Sequence, residues 1–239
     1  ARGAENTSSL LVVLTFSGGG TRAAALAHGI LEELAGIDIE WEGRRRRLLD
    51  EVDSISAVSG GSVTAAYYAL YGDRLFADFT QRFLHRDIEA DFTRRLFNPA
   101  HWLRLWAPYS GRSDLLADIF DELLFEGATY GDLAKGPGRA FLTLSATDMA
   151  AGTRFEFVQE QFDLMCADLA GFSIARAVSA SAAVPVLMSP IMLSNRAGRC
   201  SYPGTAVVEQ GLQARRLTSR QLHYANKLRS YLDAQARPY

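Results

Sequence analysis

The passage Asp53-Ser-Ile-Ser-Ala-Val-Ser-Gly-Gly-Ser62, with the residues just after it, constrains the fold more than any other part of the sequence. The run Ile55 to Val58 meets Ser59-Gly60-Gly61, and then Val63, Ala66, Tyr67, Leu70 and Tyr71 recur at helical spacing until Gly72. Spacing of this kind predicts a strand, a sharp turn and a helix that stops at glycine. A serine at the apex of such a turn stands above the sheet edge. Flanking glycines relieve crowding there, and the following N–H can face a developing oxyanion. Ser59 is therefore the candidate nucleophile, with Gly60 as a candidate oxyanion donor.

The same pattern occurs once before. Leu10 to Phe16 is a continuous apolar run of buried-strand type, followed directly by Gly18-Gly19-Gly20-Thr21-Arg22. Ala23, Leu26, Ala27, Ile30, Leu31 and Leu34 then form one helical stripe, and Gly36 sits where a helix would end. Three glycines at a helix N-terminus leave N–H groups unobstructed where the helix dipole adds positive potential, so the loop reads as an anion cradle. A phosphate loop would look similar. This one lacks the Gly-Lys-Ser/Thr ending of a Walker loop and the spacing of a dinucleotide fingerprint.

Taken together, a Gly-Gly-Gly-x-Arg loop some forty residues ahead of a Ser-x-Gly elbow resembles the patatin-like phospholipase family. Ser145-Ala-Thr-Asp148 with Gly152 is similar to that family's segment after a central strand, and Ala177 to Pro185 to its small-residue helix ending in proline. The resemblance runs from Leu10 to about Pro190. It implies a three-layer α/β/α sandwich with a mostly parallel central sheet and a helical cap insertion at roughly 76–125, in a single domain over residues 1–239.

The activity it implies is that of a serine acyl hydrolase acting through a Ser/Asp dyad and an acyl-enzyme. Ser59 corresponds to the nucleophile, Gly18, Gly19 and Gly20 to the oxyanion loop, and Arg22 to the family's basic position. The implied partners are acyl lipid or phospholipid substrates, with peripheral membrane contact and no cofactor or metal. The compartment is left open, a membrane-associated or exported bacterial setting being compatible with this reading. Ala57 and Ala23 stand where the family usually has glycine, and alanine is the smallest replacement.

One departure is larger. The family's catalytic aspartate lies in an Asp-Gly motif, and this sequence has no Asp-Gly dipeptide. The expectation is that the chain stops short of the strand that carries it, leaving the dyad incomplete. Asp53 begins the strand that ends at Ser59 and so lies about 15–20 Å away at the opposite sheet edge. Asp148 emerges at the same carboxyl edge as Ser59, where ligands bind in open α/β sheets; a loop-capping role is the favoured reading for it. Two other classes stay open. One is a non-catalytic lipid- or phosphate-binding module. The other is a Ser/His/Asp hydrolase drawing on His101 or His223; His28 reads as a core or flank residue.

With a net charge of −2 and 22% charged residues, the chain carries no basic footprint for nucleic acid. Its longest apolar runs are too short to span a bilayer. Arg44 to Arg47 is read as a solvated helix face paired with Glu40, Glu42 and Glu51, in preference to a lipid-headgroup patch. Phe76 to Phe125 reads as mainly helical, and Phe92 to Tyr109 within it as an aromatic, arginine-bearing segment fit either to pack over the sheet or to meet an interface. Leu187 to Leu193 is predicted to be a strand and Gln210 to Gln235 a helix. Ser179 and Ser181 read as packing residues. Cys166 and Cys200 are the two cysteines, read as two buried thiols or, in an exported protein, as one disulfide, the latter slightly favoured.

Overall fold

Both glycine-bearing turns sit at the carboxyl ends of neighbouring parallel strands. A computed structural model describes residues 6–98, 100, 110–137, 140–184, 186–200, 213 and 218–232. In chain order the elements that position the site begin with β1 (Val12–Phe16), α1 (Gly20–Gly36), the hairpin β2 (Asp38–Trp41) and β3 (Arg44–Arg47), β4 (Val52–Val58) and α2 (Gly60–Tyr71). There follow α3 (Arg74–Phe79), α4 (Ile88–Leu96), α5 (Arg112–Phe120) and α6 (Tyr130–Leu133). The hairpin of β5 (Phe141–Asp148) and β6 (Thr153–Glu156) comes next, then α7 (Gln159–Leu164), α8 (Ile174–Ala182) and α9 (Ser219–Leu232).

The central sheet has the order β1-β4-β5-β6. The first two pairings are parallel and β5–β6 is antiparallel, which makes the chain an α/β protein with a mostly parallel sheet. Its registers explain the burial. Leu14 lies beside Ile55 and Ile55 beside Leu142; Phe16 lies beside Ala57 and Ala57 beside Leu144. This row faces the core with Ala24, Ala27 and Leu31 of α1 and Val63, Ala66, Tyr67 and Leu70 of α2. Small side chains at Ala24, Ala65, Ala66 and Ala69 let both helices approach closely, and all four are buried. Strand side chains alternate between faces, so the other face carries Val13, Thr15, Ser54, Ser56, Phe141 and Thr143, of which Val13 and Phe141 are about half exposed.

The described residues of Phe76 to Phe125 are mainly helical, as expected, and are built into the same core. Phe79, Phe83, Leu116, Phe120, Leu124 and Phe125 are buried in it, with Phe79 stacked on His28 and tilted against Tyr67. Residues 101–109, which hold Trp102 and Trp106, and with them His101, lie outside the described residues.

Two expectations are corrected. The arginine run forms a β-hairpin rather than a helix face: Trp41 pairs with Arg44 across Glu42 and Gly43, both at positive φ, and that geometry matches the twist of the flanking strands. Its acidic partners are Asp38 for Arg45, Glu51 for Arg46, and Asp50 and Asp73 for Arg47; Glu42 instead accepts from Ser9 Oγ. The start of the described chain is held by a side chain at the entry to β4, since the buried Thr7 donates its N–H to the buried Glu51. Leu187 to Leu193 forms no strand; Arg112 donates to the Val186 carbonyl, and Ser113 is bonded to both the hydroxyl and the carbonyl of Ser189. Cys166 and Cys200 are joined in a disulfide.

Candidate active site

Ser59 occupies the single-residue turn between β4 and α2 with φ 54° and ψ −127°. A residue with a side chain seldom adopts positive φ, because Cβ then crowds the neighbouring peptide. Here both peptides around Ser59 are pinned. Its carbonyl accepts from the Ser62 amide at 2.9 Å and from Ser62 Oγ at 2.5 Å. Its amide donates to Ser181 Oγ at 2.8 Å, and that hydroxyl donates in turn to the Ser145 carbonyl at 2.6 Å. The Ser59 turn is thus fastened locally by α2 and remotely by α8.

The glycine loop lies directly against it. A methyl group added at Gly18 would stand 3.0 Å from Ser59 Cβ and 3.6 Å from Ser59 Oγ. At Gly60 it would fall 2.0 Å from the Gly20 carbonyl oxygen, and at Gly61 2.7 Å from both Phe16 Cβ and the Ser17 carbonyl oxygen. Gly19 and Gly20 adopt φ 146° and 61°. The two turns therefore interlock through backbone, and helices α1 and α2 both start beside Ser59. The first N–H groups of a helix have no acceptor within it, and the helix dipole adds positive potential at that end. Such an arrangement can receive negative charge developing next to Ser59 Oγ. Arg22 lies exposed in the first turn of α1.

The carboxylates are placed otherwise. Asp53, at the far end of β4, accepts from the Val12 amide at 2.9 Å and anchors the start of β1. Asp148 is buried; its Oδ1 accepts from the amides of Ala150 and Ala151 at 2.8 and 3.1 Å, and its Oδ2 from the Tyr231 hydroxyl. It caps the β5–β6 turn and pins α9, with Lys227 donating to the Arg154 carbonyl alongside. Burial lowers the pKa of Lys227, a shift opposed by the charges of Asp148 and Glu156. Among the described residues no carboxylate or imidazole is hydrogen-bonded to Ser59 Oγ. His28 is buried against Phe79 with Nδ1 3.9 Å from Glu32, and His85 is exposed; the His223 side chain lies outside the described residues.

Sequence reasoning missed the role of Ser181. Its Ala/Ser-rich helix signals close packing, and that packing is present, since Ala175, Ala177 and Val178 are buried against the sheet. Nothing in the local pattern points to a hydrogen-bond partner 122 residues away.

A family model described as patatin-like phospholipase matches residues 14–206. Solved structures of similar shape include human GIVD cytosolic phospholipase A2 bound to a methyl γ-linolenyl fluorophosphonate inhibitor and terbium chloride. Its TM-score is 0.47 at 18% identity, over 84% of this chain and 32% of that one. ExoU, in its heterodimeric complex with SpcU from the type III secretion system of Pseudomonas aeruginosa, gives 0.40 at 18% identity, over 72% of this chain and 36% of that one. Another structure of the type III effector ExoU gives 0.39 at 16% identity, over 92% and 52%. This chain spans between about a third and a half of the length of those proteins. No curated protein matches the sequence.

Proposed function

The chain belongs to the patatin-like phospholipase family, and we propose that it is the part of a lipid acyl hydrolase that carries the nucleophile and the oxyanion loop. The observation that carries this reading is the turn at Ser59, held at positive φ with Gly18 packed against its side chain. Ser59 Oγ attacks the carbonyl carbon of an acyl ester. The developing oxyanion is met by N–H groups of Gly19, Gly20 and Gly60, and collapse of the tetrahedral species expels the alcohol portion and leaves an acyl-serine that water hydrolyses. A carboxylate takes the Ser59 proton. Asp148 is an unfavourable choice for that step because both of its oxygens already accept hydrogen bonds. The assignment falls instead to an aspartate of the Asp-Gly type, which this sequence does not contain.

The substrate class under this reading is acyl lipid, phospholipids included. Val184, Val186 and Leu187, which follow α8, and Met149, which follows β5, are exposed apolar side chains near the carboxyl edge of the sheet, suited to acyl chains or a lipid surface. A second reading, lipid binding without turnover, draws on the lack of a described base at Ser59 Oγ. Labelling of the product of the full open reading frame with a fluorophosphonate, mapped by peptide mass, separates the two. Adduct on Ser59 supports the hydrolase, whereas an unlabelled Ser59 in protein that still binds phospholipid vesicles supports the binding module.

A further inference from the structure

We propose that Ser181 is a positioning residue for Ser59, an inference that rests on reading Ser59 as the nucleophile. In the register of β4 and β5, Val58 stands beside Ser145. A continued parallel ladder could join the next amide, that of Ser59, to the Ser145 carbonyl directly. The turn at Ser59 lifts the chain off the sheet and separates these two groups. The Ser181 hydroxyl fills the gap, accepting from Ser59 N–H at 2.8 Å and donating to Ser145 C=O at 2.6 Å. One oxygen thus satisfies a donor and an acceptor that the elbow would otherwise leave unpaired beside the core.

The consequence reaches the reactive atom. A positive-φ residue persists only where its surroundings over-determine it. Ser62 fixes the carbonyl side of Ser59 through α2, and Ser181 fixes the amide side through α8. Without the second tether the peptide between Val58 and Ser59 is free to rotate, and Ser59 Oγ moves relative to the glycine loop. Alanine at 181 removes both bonds; threonine keeps the hydroxyl. Ser179, two residues earlier on the same helix, is a matched control: its buried hydroxyl donates to the Ser113 carbonyl at 2.6 Å, joining α8 to α5 without touching the elbow.

The test compares Ser181→Ala, Ser181→Thr and Ser179→Ala, all in the product of the full open reading frame, by amide hydrogen exchange at Ser59 and by short-chain p-nitrophenyl ester hydrolysis, with Ser59→Ala as reference. Ser181→Ala is expected to speed exchange of the Ser59 amide about tenfold or more and to lower kcat about 10- to 100-fold with KM little changed. Ser181→Thr should restore most of both, and Ser179→Ala should change neither. Ser59 exchange that is unaltered in Ser181→Ala, or equally faster in Ser179→Ala, overturns the clamp. Hydrolysis that survives Ser59→Ala overturns the nucleophile reading alone, and the exchange data still decide whether Ser181 holds the turn.

Discussion

The turns that end β1 and β4 meet the same demand, bringing a helix N-terminus to the carboxyl edge of the sheet, with different residues under different constraints. In the first turn the unusual backbone angles fall on Gly19 and Gly20, for which positive φ carries no Cβ penalty, and a methyl group at Gly20 would meet nothing within 4 Å. In the second turn the unusual angles fall on Ser59, and the adjoining glycines serve a different purpose. Gly60 and Gly61 are glycines because the backbone of the first turn occupies the space their side chains would need. One turn thus uses glycine for conformation. The other uses it for clearance and places its strained conformation, costing about 1–3 kcal/mol, on Ser59, the residue proposed as nucleophile.

That contrast can be broken in graded steps. Gly60→Ala should have the largest effect, because its Cβ would lie 2.0 Å from the Gly20 carbonyl and backbone would have to move on both sides. A loss of at least about 3 kcal/mol is expected, read as a fall in Tm or as failure to accumulate soluble protein. Gly18→Ala meets a side chain at 3.0 Å, so a stability cost of about 1 kcal/mol is expected, with the greater effect on Ser59 reactivity, about tenfold in fluorophosphonate labelling rate. Gly20→Ala meets no atom and should cost only the left-handed penalty, about 1 kcal/mol, measured by denaturant midpoint. The smallest difference is between Ser59→Gly and Ser59→Ala. Both remove the hydroxyl, and glycine also removes the strain, so Ser59→Gly should be at least as stable as Ser59→Ala, by up to about 1 kcal/mol, despite its greater unfolded-state entropy.

The two crossings were legible because their signals are local. Leu10 to Phe16 and Ile55 to Val58 run into glycine clusters, and helical stripes follow at once, so strand, turn and helix could be read without tertiary knowledge. The arginine hairpin was not legible from propensity, since four consecutive arginines look like a solvated helix face. Its one signal was Glu42-Gly43, which supplies the two positive-φ positions of a tight hairpin turn. Leu187 to Leu193 is apolar enough for a strand, yet its Ser189 carbonyl is taken by the Ser113 hydroxyl, and the carbonyl of Val186 just before it by Arg112, rather than by a neighbouring strand. Ser181 was hidden for the same reason at greater range, because a hydroxyl in an alanine-rich helix says nothing about a strand end 122 residues earlier. Asp148 could be placed at the correct sheet edge, and the amides of Ala150 and Ala151 give it the capping role favoured from the sequence. Tyr231 as its further partner could not be foreseen.

The most direct test is hydrolysis of a short-chain p-nitrophenyl ester by these 239 residues and by the product of the full open reading frame, each with and without Ser59→Ala. The account predicts turnover by the full product that falls at least about 1,000-fold on Ser59→Ala, and little or none by the 239 residues. Turnover that survives Ser59→Ala would contradict the assignment of Ser59 as nucleophile. Serine-dependent turnover by the 239 residues alone would return the general base to a carboxylate within them, with Asp148 first in line.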